Sequence, residues 1–305
     1  MKTYLDKNVY EAALERIAYC FQEFDNVLVA FSGGKDSGVL LNLCYNYADE
    51  HGLLDKLTMY HLDYEAQYQM TTEYVTRTFL EQFPGIRKMW YCVPIKAQSA
   101  CALGEPYWTP WDAAKKKLWV RAMPENPYVV HEGNLDVPFR HGMVDYEFQD
   151  KLSRHFAKKR GTTAVMVGLR ADESLNRYAA VARGKKRRSY EGRKWITQTS
   201  AVTANVYPLY DWRVSDIWTA TARFGFDYNR LYDLLYQAGL TAGQMRVASP
   251  FNDCAQESLK LYKVIDPSNW ARMIGRVNGV NFTGLYGGTT AMGWKTIKLP
   301  PGHTW

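Results

Sequence analysis

Two kinds of hydrophobic patterning alternate along this chain. Residues 8–23 carry Tyr10, Ala13, Ile17 and Phe21 at helical spacing, which predicts an opening helix. The run VLVAF at 27–31 is short, wholly apolar and bounded by polar residues, the pattern of a strand buried on both faces. It leads into SGGKDSG and then VLLNLCYNYA, an apolar helix. LTMYHL (57–62) predicts a second strand, 71–83 a second helix and RKMWYCV (87–93) a third strand. From about 95 to 143 the pattern dissolves into Trp, Pro and Gly, an irregular insertion. Residues 145–160 form an amphipathic helix on Phe148, Leu152 and Phe156, TAVMVG (163–168) a fourth strand, and 214–224 and 229–239 two further helices. Strands alternating with helices predict an α/β fold: a doubly wound, mostly parallel sheet with helices on both faces. We expect this domain to span 1–240, with a mixed C-terminal extension, 241–305, packed on it.

The strongest local signal lies between the first strand and its helix. Ala30 and Phe31 end the strand, and Ser32-Gly33-Gly34-Lys35-Asp36-Ser37 follows. Two glycines allow a tight turn with exposed backbone N–H groups. The helix N-terminus behind it adds about half a positive charge and unsatisfied donors. Lys35 contributes a full charge, and Ser32 and Ser37 contribute hydroxyls. The expected product is a cradle for phosphate or pyrophosphate. It is not a Walker A loop, because the GxxxxGK spacing is absent.

Composition narrows the setting. The 305 residues carry 38 basic and 31 acidic side chains, a net charge of +7. Much of the excess sits in RGKKRRSYEGRK (183–194), with seven basic residues and one acidic. That segment reads as a mobile, solvated loop, and Lys185, Lys186, Arg187 and Arg188 as a lid over a polyanionic substrate or a contact for nucleic acid. A shorter run, Lys115–Lys117, reads as a solvated helix face. The five cysteines are scattered and form no CxxC pair, which argues against a disulfide framework, a zinc site or an iron–sulfur cluster, and fits a reducing cytoplasm. No run approaches the roughly 18 apolar residues of a membrane span, and the start has no apolar core of a secretory signal.

SGGKDS after VLVAF resembles the PP-loop of N-type ATP pyrophosphatases and phosphoadenosine phosphosulfate (PAPS) reductases. Other stretches match in order. His61-Leu62-Asp63, with Thr71 opening a helix, is similar to the family's DTG…PET segment. GLRADESLNR (168–177) resembles GxRxxESxxR, YPLYDW (207–212) with Asp216 and Trp218 resembles PLxDWxxxDVW, and NRLYD (229–233) resembles NPLYD. The resemblance covers about 25–240. It implies an adenine-nucleotide alpha hydrolase-like fold with an adenosine nucleotide, ATP or PAPS with Mg2+, at the carboxyl ends of the strands.

In that frame the nucleotide-binding residues are Ala30 to Ser37, Asp63, Gly168, Arg170, Glu173 and Arg177. Lys35, Asp36, Arg170 and Arg177 would be catalytic, neutralising phosphate charge on the leaving group. Asp36 would orient the loop or bind Mg2+, and Asp63 would take a ribose hydroxyl or a metal-bound water. The two arginines would converge on phosphates with Glu173 holding one. Asp211, Trp212 and Asp216 would organise the fold.

The chain also departs from the family. The C-terminus is PPGHTW rather than an ECGLH-like motif, and no cysteine follows Cys254, which reads as a small buried residue. Met70 stands where PET has Glu, and Glu65 where DTG has Gly. The leading expectation is therefore an enzyme that splits ATP to AMP and pyrophosphate and activates an unknown acceptor. The alternatives are PAPS reductase-type chemistry and a nucleotide-sensing module without turnover. The stretch 271–279 resembles the phage- and plasmid-borne branch of the family, implying a ParB-like or nucleic-acid partner and a defence role. A homo-oligomer is a further expectation.

Overall fold

A computed structural model describes residues 6–102, 104–182, 189–287 and 289. Helix α1 (Val9–Glu23) begins at Asn8, whose side chain accepts from Glu11 N while Glu11 takes the Asn8 N–H, a closed capping box. Strand β1 (Asn26–Ala30) leads to α2 (Lys35–Glu50), β2 (Leu57–Leu62), α3 (Gln69–Glu81) and β3 (Arg87–Cys92). After the insertion come α4 (Asp145–Arg160), β7 (Thr163–Val167) and α5 (Leu175–Ala182). The insertion itself holds β4 (Ala97–Gln98), β5 (Tyr107–Trp108) and β6 (Val129–His131). Beyond α5 lie β8 (Ser189–Tyr190), β9 (Arg193–Gln198), β10 (Thr203–Val206), α6 (Val214–Phe224) and α7 (Leu231–Gln237). Three helices end the described chain: α8 (Gln256–Ile265), α9 (Pro267–Arg276) and α10 (Val280–Tyr286).

Eight strands form one sheet in the order β6-β3-β2-β1-β7-β10-β9-β8. It is parallel from β6 to β10 and antiparallel at β9 and β8. Residues alternate between its faces. Val27 and Val29 of β1 pack with Ile17, Leu40 and Phe79 from α1, α2 and α3, while Leu28 joins Tyr60, Tyr91 and Phe148 on the α4 side. A further core lies under α7, α8 and α9, where Tyr68 stacks on Tyr262 at 3.5 Å. Both faces are covered, as the apolar strand runs require. Trp212 is buried, its indole N–H donating to Val9 O, Asp211 pairs with Arg16, and Asp216 caps α6 by accepting from Arg213 N. Among the described residues no helix is long and apolar enough to cross a membrane.

Two expectations need correction. The stretch 95–143 is not wholly irregular: it contains the β4–β5 hairpin, a 3-10 turn at Ala113–Leu118 and β6, which extends the sheet beyond β3. Three residues are too few to display a period. The segment 183–194 is not one solvated loop either, since its second half is the β8–β9 hairpin. Glu191 and Gly192 both have positive φ, 48° and 76°, and Tyr190 pairs with Arg193, which makes a two-residue turn of the I′ kind. Its charges are tolerated because these strands form the edge of the sheet. Residues Lys185, Lys186, Arg187 and Arg188 lie outside the described residues.

Candidate functional site

Successive strands run away from β1 in one direction through β2 and β3, and the chain then returns to β7 on its other side. The carboxyl ends of β1 and β7 are therefore the topological switch point, where open α/β sheets hold their ligands. The loop 32–37 leaves β1 here, and Gly168 follows β7. A Cβ on Gly168 would lie 2.9 Å from Asp36 C and Ser37 N, so glycine lets the second strand end press directly on the loop.

The loop is held from several sides. Gly33 has a φ of +76° and faces Thr71 and Val75. Asn229 Nδ2 donates to Gly33 O and Thr71 Oγ1, at 3.3 and 2.9 Å. Lys35 N donates to the Tyr232 hydroxyl. Ser32 and Ser37 hydroxyls lie 3.0 Å apart, and Ser37 also accepts from Ser32 N. These two hydroxyls fix the loop rather than reach outward. Helix α2 starts at Lys35 with Gly34 as its cap and no capping side chain; Tyr232 takes the Lys35 N–H, and among the described residues no group accepts from Asp36 N or Ser37 N, so the positive end of α2 is only partly satisfied.

That end faces a cavity of about 330 Å3. Lys35, Arg177 and Arg246 supply its cations and Asp36 and Glu173 its carboxylates. Asp36 is clamped: Lys35 Nζ donates to Oδ2 at 2.9 Å, and Arg170 Nε donates to Oδ1. Burial works to raise the Asp36 pKa, but Lys35 and Arg170 hold it below the usual carboxylate range. Glu173 holds two arginines, Arg177 at 3.1 Å and Arg246. The cavity thus neutralises its own charge with carboxylates that an incoming polyanion could replace.

The sequence-predicted residues divide accordingly. Ala30, Phe31, Ser32, Gly34, Lys35, Asp36, Ser37, Gly168, Glu173 and Arg177 border one cavity. Gly33 and Arg170 do not border it. The expectation that both arginines converge on phosphate is corrected for Arg170, which is buried, does not border the cavity, and donates from Nε to Asp36 and from Nη1 to Asp172. A protein-held Mg2+ on Asp36 does not fit, because a cation already occupies each oxygen. Among the described residues no group of three His, Cys, Asp or Glu could hold a metal ion.

Asp63 is also corrected. It is fully buried away from the cavity, with Arg121 bound to both oxygens at 2.5 and 2.6 Å and Trp90 Nε1 at 2.7 Å. No oxygen remains for a ribose. Glu65 beside it occupies a left-handed conformation, φ 60°, where the family motif has glycine. Its carboxylate accepts from Arg276 twice, from Trp111 N and from Val120 N, and it is wholly buried. These pairs bind the end of β2 to the insertion and to α9. His61 of β2, two residues before Asp63, donates from Nδ1 to Phe31 O at 2.8 Å, and burial lowers its pKa.

Cys254 overturns its own expectation. It is exposed and borders the same cavity as the loop. Burial of the sulfur atom's surroundings still pushes the thiol's pKa up, against the pull of Arg246. Arg246 was not legible at all: it lies in a stretch with no periodicity, and nothing local marks it as reaching Glu173, 73 positions earlier.

The family model for the phosphoadenosine phosphosulfate reductase domain matches residues 26–238, and a domain of unknown function (DUF3440) matches 239–305. An uncharacterized protein of Escherichia coli (strain K12), YbdN, is 36% identical over 287 residues, 93% of this chain and 69% of that protein. Among solved structures, the PAPS reductase of Candida auris in a phosphate complex is 13% identical with a TM-score of 0.40, covering 76% of this chain and 93% of its own. The FMN adenylyltransferase of Candida glabrata with FAD and pyrophosphate is 14% identical with a TM-score of 0.42, covering 75% and 64%. Likeness at that level bears on neither ligand nor reaction. The chain belongs to the phosphoadenosine phosphosulfate reductase domain family.

Proposed function

We propose that this member of the family binds ATP with its phosphates on the 32–37 loop and cleaves it to AMP and pyrophosphate while activating an acceptor. The observation that carries the reading is the N-terminus of α2, Gly34 to Ser37, bordering a cavity at the switch point together with Arg177 and Arg246. An acceptor group attacks the α-phosphorus, the bond to the bridging oxygen of the β-phosphate breaks, and pyrophosphate leaves carrying the charge. Backbone N–H groups and Lys35 are placed to stabilise that charge without reorganising. Asp36 and Arg170 position Lys35 and the loop. Any magnesium would arrive on the nucleotide's own phosphates.

The test is 31P NMR of the protein with Mg-ATP beside Lys35→Ala. AMP and pyrophosphate that form in the wild type and are lost in the variant support the reading. ATP that binds yet stays intact, with cell extract added as acceptor source, would replace it with a sensing module. A second reading, sulfonucleotide reduction, is favoured by the exposed Cys254 in the same cavity. It requires the thiolate to attack sulfur and release the nucleotide. Loss of sulfite formation from PAPS in Cys254→Ser would support it, and absence of sulfite from the wild type supplied with a dithiol reductant would remove it.

A further inference from the structure

The insertion carries a second cavity that the nucleotide reading does not use. It is a groove of about 1150 Å3 between the Ala113–Leu118 turn, the following segment to Pro127, strand β6 and Arg272 of α9. It shares no bordering residue with the nucleotide cavity. Its volume exceeds the range of roughly 300–1,000 Å3 usual for small-molecule sites. We propose that this groove binds a single-stranded nucleic acid.

Charge is the first support. Lys116, Lys117, Arg121 and Arg272 border the groove, against Glu125 and Glu132, and Glu132 is already held by His141 at 2.5 Å. Arg121 is neutralised by Asp63, so the charge the groove offers comes from Lys116, Lys117 and Arg272, which pair with no carboxylate among the described residues. The second support is aromatic. Trp119 borders the groove with its indole fixed, since its N–H donates to Asp112 O at 2.9 Å and Trp111 packs against it edge to face. The Lys116 ammonium lies over its ring at 5.7 Å from the centroid, so a cation and an aromatic ring stand together at the groove. Arg121 itself is committed to the turn at Asp63: its Nη2 binds both oxygens of that buried carboxylate and its Nη1 donates to Ala122 O.

Cations tracking a backbone beside a rigid aromatic face are the means by which proteins hold unpaired strands without reading sequence. A duplex would use the cations and leave the indole idle. The Lys115–Lys117 run, a plain solvated helix face on sequence grounds, becomes one wall of a site because the insertion folds around it.

The experiment is fluorescence anisotropy of a labelled oligouridine of about twelve nucleotides with the full chain, titrated across a salt series. The expected result is saturable binding that weakens as salt rises. Lys116→Glu with Lys117→Glu should weaken it at least tenfold while leaving the thermal midpoint unchanged, and Arg272→Glu, which also loses the hydrogen bond to Val120 O, should weaken it at least tenfold. The salt slope should become shallower by about 0.7 for each phosphate contact removed. Trp119→Phe should lose the quenching of indole emission on saturation. No binding at low salt, or equal binding by the charge-reversed variants, would overturn the proposal. Displacement of the oligonucleotide by polyglutamate at equal charge would also overturn it, leaving a plain anion groove. None of these outcomes depends on whether ATP is cleaved.

Discussion

The loop at 32–37 and the turn at 63–65 leave adjacent parallel strands, and each is crowded with ion pairs, yet they are built for opposite ends. Around the loop, Asp36 and Glu173 hold cations that border a cavity, and among the described residues the Asp36 and Ser37 N–H groups opening α2 have no partner. Around the turn, Asp63 and Glu65 are wholly buried, and every carboxylate oxygen is taken by Arg121, Arg276, Trp90 or a backbone N–H. The first region can exchange its internal partners for a ligand's. The second has nothing left to exchange and instead ties the insertion and α9 to the sheet. Charged residues in a family motif therefore divide by how completely their neighbours satisfy them.

The comparison can be broken most forcefully at the closed turn. Arg276→Met would leave Glu65 charged and buried, and breaking a buried pair in this way costs about 3–5 kcal/mol. A urea midpoint measurement should find that loss, whereas a loss below about 1 kcal/mol would show that the turn is not the tie described here. A smaller effect is expected where the two strand ends meet. Gly168→Ala must push the loop at Asp36 and Ser37, and Mg-ATP affinity should fall about tenfold, worth about 1.4 kcal/mol, with the fold retained.

The smallest effect is graded and concerns pH. His61 is held neutral in the fold by burial, so the unfolded chain binds the extra proton and stability falls as pH drops through about 6.5. Asp36 and Asp63 have lowered pKa values, so their contribution is present above about 3.9 and is lost at lower pH as they protonate. Thermal midpoints from pH 7.5 to 5.5 should therefore decline, and His61→Asn should flatten that decline. A decline of equal slope in the variant would assign it to other groups.

Much of this was readable in advance. The central strands β1, β2, β3 and β7 announce themselves as apolar runs, and the loop announces itself because strand, glycines, lysine and helix are contiguous. What could not be read depends on partners far apart in sequence. Asp63 looks like a ligand-facing carboxylate until Arg121 arrives from an aperiodic insertion. Glu65 looks like a divergent replacement of glycine until Arg276, 211 positions later, is seen to satisfy it. Cys254 looked buried because free cysteines usually are, but its segment folds along the cavity rim instead.

The most direct test of the central claim is isothermal titration of the wild type and Lys35→Ala with Mg-ATP, ADP and AMP. The account predicts affinity rising with phosphate number in the wild type. It predicts a loss of about 10- to 100-fold for Mg-ATP in the variant, as a charge-assisted contact worth about 1.5–3 kcal/mol requires, with little change for AMP. Equal affinity of the two proteins for Mg-ATP would contradict it.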